Sequence, residues 1–166
     1  MFDLSSIDSN DFANFYTDIN DFVDGLFYDE RDALANMSNL ASLLYHTLGD
    51  VNWVGYYLLK SGELVLGPFQ GKPACIRISI GKGVCGTAAQ KRKTLRIPDV
   101  HQFDGHIACD GDTNAELVIP MIKNGVLLGV LDIDSKVKDR FSEEDQKALE
   151  NIVDKLLEAS EFEHVN

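Results

Sequence analysis

The period of the apolar positions changes along the chain, and each change marks an element. From about residue 9 to 48, apolar residues recur at i, i+3 and i+4, the spacing of an amphipathic helix. Phe12, Phe15, Tyr16, Ile19, Phe22 and Val23 make one stripe, with Gly25 as its expected break. Leu34, Met37, Leu40, Ala41, Leu44 and Tyr45 make a second, which Gly49 stops. From Val51 the period falls to two. The stretch Val51–Lys60 is rich in aromatic and branched residues, which suit a pleated surface. Alternation puts Trp53, Gly55 and Tyr57 on one face and Val54, Tyr56 and Leu58 on the other. Glu63–Leu66 predicts a short partner strand across Ser61-Gly62. Cys75–Ile80 predicts a third strand, with Ile76, Ile78 and Ile80 sharing a face.

Gly81 to Gln90 reads as a glycine-rich turn opening a short helix, and Thr94–Ile97 as a short strand stopped by Pro98. Ala115–Ile122 and Val126–Asp134 predict a hairpin around Asn124-Gly125, apolar on both faces and so covered on both. Ser142 caps a last helix over about 142–160, with acids in its first turn and Ile152, Val153, Leu156 and Leu157 as its stripe. No repeat or linker interrupts the pattern. It predicts a single domain over 1–166: helices over about 9–48, sheet and site loops over about 51–134, and the final helix. Helices at both ends and five or six mostly antiparallel strands between them make an α+β sandwich.

Charge narrows the partners. The chain of 166 residues has a formal charge of −12, which argues against nucleic acid and anionic membranes, because both need a basic surplus. The N-terminus lacks the basic and apolar regions of a signal peptide, and no apolar run approaches the ~20 residues of a membrane span. A cytoplasmic protein is expected. Its three cysteines include no Cys-x-x-Cys pair, so neither a zinc ribbon nor a thioredoxin-like motif fits.

The candidate chemistry gathers between Pro98 and Pro120. Asp104, Gly105, Asp110, Gly111, Asp112 and Asn114 make a long polar loop, and long loops in compact domains are kept for a use. Cys109 sits in it among acids, with His101 and His106 nearby, and is the candidate nucleophile. Cys75 and Cys85 lie in more apolar surroundings, where free cysteines commonly serve as small buried hydrophobes. A zinc site from His101, His106 and Cys109 with a further cysteine lacks the usual ligand spacing. Gly81-x-Gly83-x-x-Gly86 lacks the parallel strand context of a dinucleotide site.

The carboxylates depend on register. Asp132 and Asp134 share a face of their strand. A two-residue Asn124-Gly125 turn pairs Lys123 with Val126 and turns Glu116 away from both. A three-residue loop, with Gly125 left-handed, restores the parity: Glu116 then faces Asp132, and Asn114 faces Asp134. The second register is the expectation, because it assembles three acids. Such a cluster keeps at least one member protonated near neutral pH. The alternative is a strand end with solvated acids.

Taken together, Asn52-Trp53-Val54-Gly55-Tyr56-Tyr57, Gly67-Pro68-Phe69-Gln70-Gly71, Gly83-Val84-Cys85-Gly86, His106-Ile107-Ala108-Cys109-Asp110 and Gly129-Val130-Leu131-Asp132-Ile133-Asp134-Ser135 resemble the free methionine-(R)-sulfoxide reductases, single-domain GAF proteins. The resemblance implies a six-stranded, mostly antiparallel sheet with helices on both faces, no metal and no organic cofactor. It implies Cys109 as the attacking cysteine, Cys75 as the resolving one and Cys85 as an accessory one. Glu116 or Asp134 would be the proton donor and Asp132 the partner of the substrate ammonium, with Trp53 and Tyr57 as the pocket wall. It also implies a homodimer recycled by thioredoxin. Two other readings remain beside it: a GAF-type sensor that binds a small ligand without chemistry, and a bare thiol redox switch.

Overall fold

Capping sets where the two longest helices begin. Asp32 accepts a hydrogen bond from the Ala35 backbone N–H at 2.8 Å and opens α2, Ala33–Thr47. Ser142 and Asp145 exchange side-chain and backbone hydrogen bonds in a capping box that opens α4, Glu143–Ala159. Acids in the first turn of α4 add favourable charge at its N-terminus. The computed structural model describes Leu4, Ile7, residues 14–107 and residues 109–162. Phe12 and the expected helical stretch before residue 14 lie outside them. Helix α1 spans Phe15–Leu26 and buries Phe15, Ile19 and Val23. It runs through Gly25 rather than breaking there, because a single glycine near a helix end costs only about 1 kcal/mol.

The strands are β1 (Val51–Lys60), β2 (Glu63–Gly71), β3 (Arg77–Ser79), β4 (Leu95–Ile97), β5 (Ala115–Lys123) and β6 (Val126–Ser135), with α3 (Gly83–Lys91) between β3 and β4. They form one six-stranded sheet in the order β3-β2-β1-β6-β5-β4, antiparallel at every pairing. One face carries Val54, Tyr56 and Leu58 of β1, Leu117 and Ile119 of β5, and Leu131 and Ile133 of β6 against α1, α2 and α4. Each fully buried aliphatic there contributes roughly 1.5–3 kcal/mol. The other face carries Trp53, Tyr57, Val118 and Val130 under α3, whose Val84, Ala88 and Ala89 complete a second cluster. This is the expected α+β arrangement with helices on both faces.

Three local expectations differ from the structure. Strand β2 continues well past Leu66, to Gly71, because β1 offers it a partner along most of its length. The third strand shrinks to Arg77–Ser79, so Ile78 is buried while Ile76 is 70% exposed. On α2, Leu34 is 55% exposed; Ala33 and Asn36 turn inward in its place.

The hairpin register combines both alternatives. Asn124 and Gly125 have φ of 51° and 77°, a two-residue turn, and Lys123 pairs with Val126. A bulge then intervenes: Ile122 pairs with Leu127, but Met121 pairs with Gly129. The extra residue reverses the parity. Glu116 lies opposite Asp134, and Val118 opposite Asp132. The three-residue loop and the facing pairs Glu116–Asp132 and Asn114–Asp134 are therefore incorrect. The shared face for all three acids is correct, and the bulge achieves it. Gly129 permits the bulge, since a Cβ there would run into the backbone carbonyl of Tyr57.

Candidate active site

The register carries straight into a pocket. On β1, Trp53 lies opposite Asp134 and Gly55 opposite Asp132, so both aspartates share a face with Trp53 and Tyr57. Glu116 joins them from β5. The Trp53 ring stacks with both Tyr57 and Phe69, at centroid distances of 5.9 and 5.4 Å. Its Nε1–H donates to the Lys72 carbonyl oxygen at 3.1 Å. The first turn of α3 supplies Val84 and Cys85, and the loop after β4 supplies His106, Cys109 and Asp110. Together they enclose a cavity with a free volume of about 30 Å³. That holds two or three waters, at ~10–15 Å³ each.

Cys75 and Cys109 form a disulfide with their Cα atoms 5.5 Å apart. It ties the loop to the segment between β2 and β3. The loop is held again by Asn52, whose Nδ2 donates to Asp110 Oδ2 at 3.2 Å and to Thr113 Oγ1 at 3.1 Å. Lys72 Nζ bridges Asp110 at 3.2 Å and Asp112 at 2.7 Å. The Asp110 carboxyl consequently lies below the usual carboxylate range, chiefly through the Asp112 backbone N–H and the Lys72 ammonium. The 3-10 turn Val100–Gln102, capped by Asp99, starts the loop.

The three acids are enclosed, not solvated: Glu116 and Asp132 are each 6% exposed, and Asp134 is half-buried. Burial pushes Asp132 up to about 7, against hydrogen bonding from Cys85, Glu116 and the Ile133 N–H that favours its anion. Glu116 is pushed well above the usual range by burial and then by the charges of both Asp132 and Asp134. Asp134 is raised by burial and by Asp132. Asp132 is thus the first of the three to ionise. Its Oδ1 is buried without a hydrogen-bond partner, and a buried acceptor left unpaired is costly.

Cys85 is a free, buried thiol whose Sγ donates to Glu116 Oε1 at 3.8 Å. Burial, with Asp132 and Glu116 beside it, pushes the thiol up and keeps it protonated. Among the described residues, Cys85, Glu116 and Asp132 bring possible metal-ligand atoms within 4.8 Å of one another. Metals take carboxylates and thiols deprotonated, and burial favours the protonated forms here. The zinc set weighed from the spacing does not assemble in this state. Cys75 and Cys109 are bonded to each other, and His101 Nε2 lies 3.1 Å from Asn114 Oδ1.

All the expected site residues line the cavity except Cys75, which is bonded to the lining residue Cys109 and follows the lining residues Pro73 and Ala74. The sequence reading missed Asn52, Lys72 and Thr113, which anchor the loop. It weighed His106 only as a zinc ligand, discounted on spacing. His106 Nε2 lies 3.9 Å from Glu116 Oε2, and burial lowers its pKa, so it is neutral. Its place three residues before Cys109 was the available signal; Lys72 had none.

Residues 19–157 match the GAF domain. A free methionine-R-sulfoxide reductase of Escherichia coli is 50% identical over 144 residues, 87% of each chain. The chain belongs to the free methionine-R-sulfoxide reductases, a GAF-domain family. A second such reductase, of Saccharomyces cerevisiae, is 45% identical over 145 residues, 82% of this chain and 80% of that one. The solved structure of the free methionine-R-sulfoxide reductase from Neisseria meningitidis, in complex with its substrate, superposes with a TM-score of 0.86. It is 39% identical and covers 90% of each chain. In this member of the reductase family, the pocket sets a bonded thiol pair beside acids whose pKa values burial raises. No described helix is long and apolar enough to cross a membrane.

Proposed function

We propose that this protein reduces free L-methionine-(R)-sulfoxide to L-methionine by thiol chemistry. One observation carries the reading: the Cys75–Cys109 disulfide closes over three enclosed carboxyls. A bonded thiol pair beside proton donors is the state such a reaction leaves. Membership of the reductase family and the substrate complex of the relative from Neisseria meningitidis support it.

In the reduced protein the Cys109 sulfur attacks the sulfoxide sulfur. Glu116 protonates the oxygen; burial and the charges of both aspartates raise its pKa well above the usual carboxylate range, so it has a proton to give. Methionine departs, and Cys109 keeps the oxygen as a sulfenic acid. The Cys75 thiol displaces water from it and forms the disulfide. Two electrons have been consumed, and a protein dithiol, thioredoxin, returns them by exchange. Neither a metal nor an organic cofactor takes part. Cys85 is accessory: its thiol donates to Glu116 and does not enter the disulfide.

Asp132 binds the substrate ammonium, because an ammonium satisfies the unpaired Oδ1 with a charge-assisted hydrogen bond. Trp53 covers the S-methyl end, and Tyr57 completes the wall. A methionine residue within a peptide has no ammonium to offer, which restricts the site to the free amino acid. The same reading makes the protein cytoplasmic and, by resemblance, a homodimer.

The test couples the protein to thioredoxin, thioredoxin reductase and NADPH. Free methionine-(R)-sulfoxide should drive NADPH consumption, and Cys109→Ser should abolish it. Glu116→Gln should slow single-turnover methionine release by about 10²–10⁴-fold, the usual worth of a general acid. No consumption above the blank by folded protein would remove the enzyme reading and leave a ligand sensor.

A further inference from the structure

His106 lines the cavity and has no part in the steps above. Its side chain is 14% exposed, and its Nε2 lies 3.9 Å from Glu116 Oε2. Cys85 Sγ donates to the other oxygen of the same carboxyl, Oε1, at 3.8 Å. The acid is thus flanked by a thiol on one side and an imidazole on the other. The His106 backbone N–H donates to the Phe103 carbonyl at 3.1 Å, which fixes where the ring enters. Cys109, three residues on, lines the same cavity. The ring is neutral, because burial and the nearby His101 lower its pKa. A neutral imidazole has one nitrogen free to accept a proton.

The proton count of the first step calls for such a group. Acids around the cavity disfavour a thiolate, so Cys109 enters as a thiol. Its sulfur loses a proton on attack, and Glu116 loses one to the sulfoxide oxygen. Thiol plus sulfoxide hold as many protons as sulfenic acid plus methionine. In net, one proton therefore moves from Cys109 to Glu116 in each turnover. Among the described lining residues, the other ionisable groups are poor carriers. The Lys72 ammonium is held by Asp110 and Asp112. Asp132 takes the substrate ammonium, and Asp110 is a weakened base. Burial favours the protonated forms of Cys85, Glu116 and Asp134. His106 is the base that is left.

We propose that His106 is the general base for Cys109 and hands the proton on to Glu116. The proposal rests on the reductase reading and adds one residue to its first step. The Cys109 Sγ–H bond breaks, its proton goes to a ring nitrogen, and the sulfur bonds to the sulfoxide sulfur. Glu116 gives its proton to the sulfoxide oxygen. The hydroxyl so formed passes to the Cys109 sulfur, and the bond between the two sulfurs breaks with its electron pair left on methionine. Cys109 is oxidised by two electrons and the methionine sulfur is reduced by two. The imidazolium then returns its proton to the Glu116 carboxylate, and both groups end as they began. The 3.9 Å separation is that of the substrate-free protein, and such contacts tighten when substrate binds.

The test is single-turnover methionine release by pre-reduced protein at saturating free methionine-(R)-sulfoxide, followed against pH. The groups that titrate around His106 are Glu116 of β5, Cys85 of α3, Asp132 and Asp134 of β6, Lys72 after β2, and His101, Cys109 and Asp110 of its own loop. His106→Gln keeps an N–H near the Nε2 position and removes the base. It should slow release by about 10²-fold at neutral pH, the low end for general acid–base catalysis. The half-saturating substrate concentration should not change. The deficit should shrink as pH rises past ~8.5, where a cysteine ionises unaided and needs no base. The acids titrate in both proteins, so the ratio of rates isolates the imidazole. A deficit equal at every pH, a loss confined to half-saturation, or release at the wild-type rate overturns the proposal. Wild-type protein alone supplies a second reading, whether or not the variant folds. Its rate should not climb between neutral pH and ~8.5; a tenfold rise per pH unit there, the mark of a thiolate that forms without a base, overturns the proposal too. No release by wild-type protein at any pH would instead remove the reductase reading on which it rests.

Discussion

The Tyr57 hydroxyl donates to the backbone carbonyl of Cys75 at 3.0 Å. One pocket-wall residue thus holds the chain at one end of the disulfide. The ring belongs to the wall and the hydroxyl to the disulfide, so the two contributions separate experimentally. Tyr57→Phe keeps the ring and removes a hydrogen bond worth about 1 kcal/mol. Substrate affinity should hold, while disulfide closure slows by about fivefold. The lifetime of the Cys109 sulfenic acid, followed by dimedone capture in single turnover, checks this. An unchanged lifetime would mean that the hydroxyl does not position Cys75.

The acid cluster should make stability fall as pH rises. Asp132 is raised by burial to about 7, while an unfolded aspartate titrates near ~3.9. Below the unfolded value both states carry the proton. Between the two values the folded state still holds it and the unfolded state has lost it, so unfolding is progressively favoured. The loss is complete above the folded value. It amounts to roughly 4 kcal/mol at most, at about 1.4 per unit. Glu116 and Asp134 act with the same sign. Asp132→Asn should flatten the decline in urea-unfolding free energy between pH 5 and 7.5. An identical slope in the variant would contradict the burial argument.

Gly129 should be intolerant of any side chain. Its Cβ would meet the backbone of Tyr57 and Leu58, and backbone cannot give way as a flexible side chain can. Gly129→Ala should destabilise the protein by about 2–4 kcal/mol, in the upper range for single substitutions. Substrate affinity should fall as well, because the bulge keeps Glu116 on the face of the aspartates. Urea unfolding and KM read the two effects. A stable variant with normal KM would show that the acids do not depend on the bulge.

Most of the fold was legible because periodicity reports burial directly. The alternation of Val51–Lys60 placed Trp53 and Tyr57 on one face, where the structure has them. The capping serine at 142 marked the last helix. Ile76 shows the limit. Its apolar side chain fits the alternation of a strand, yet β3 begins only at Arg77 and the Ile76 side chain stands exposed, although the Leu66 N–H of β2 donates to its carbonyl. Cys85 shows another: the sequence places it at the start of a short helix, but does not show the carboxyl 3.8 Å away.

What the chain alone determined were the elements, the candidate thiols and the acids, since local propensity and side-chain period are properties of neighbours in sequence. The tertiary structure decided which of these meet. A turn of two residues and a bulge at Gly129 are separate local choices, and only their combination against β1 puts Glu116 beside Asp132 and Asp134. The carboxyl pKa values rise, and Cys109 finds Cys75 from 34 residues away, because packing removes water and closes distances that no local pattern encodes.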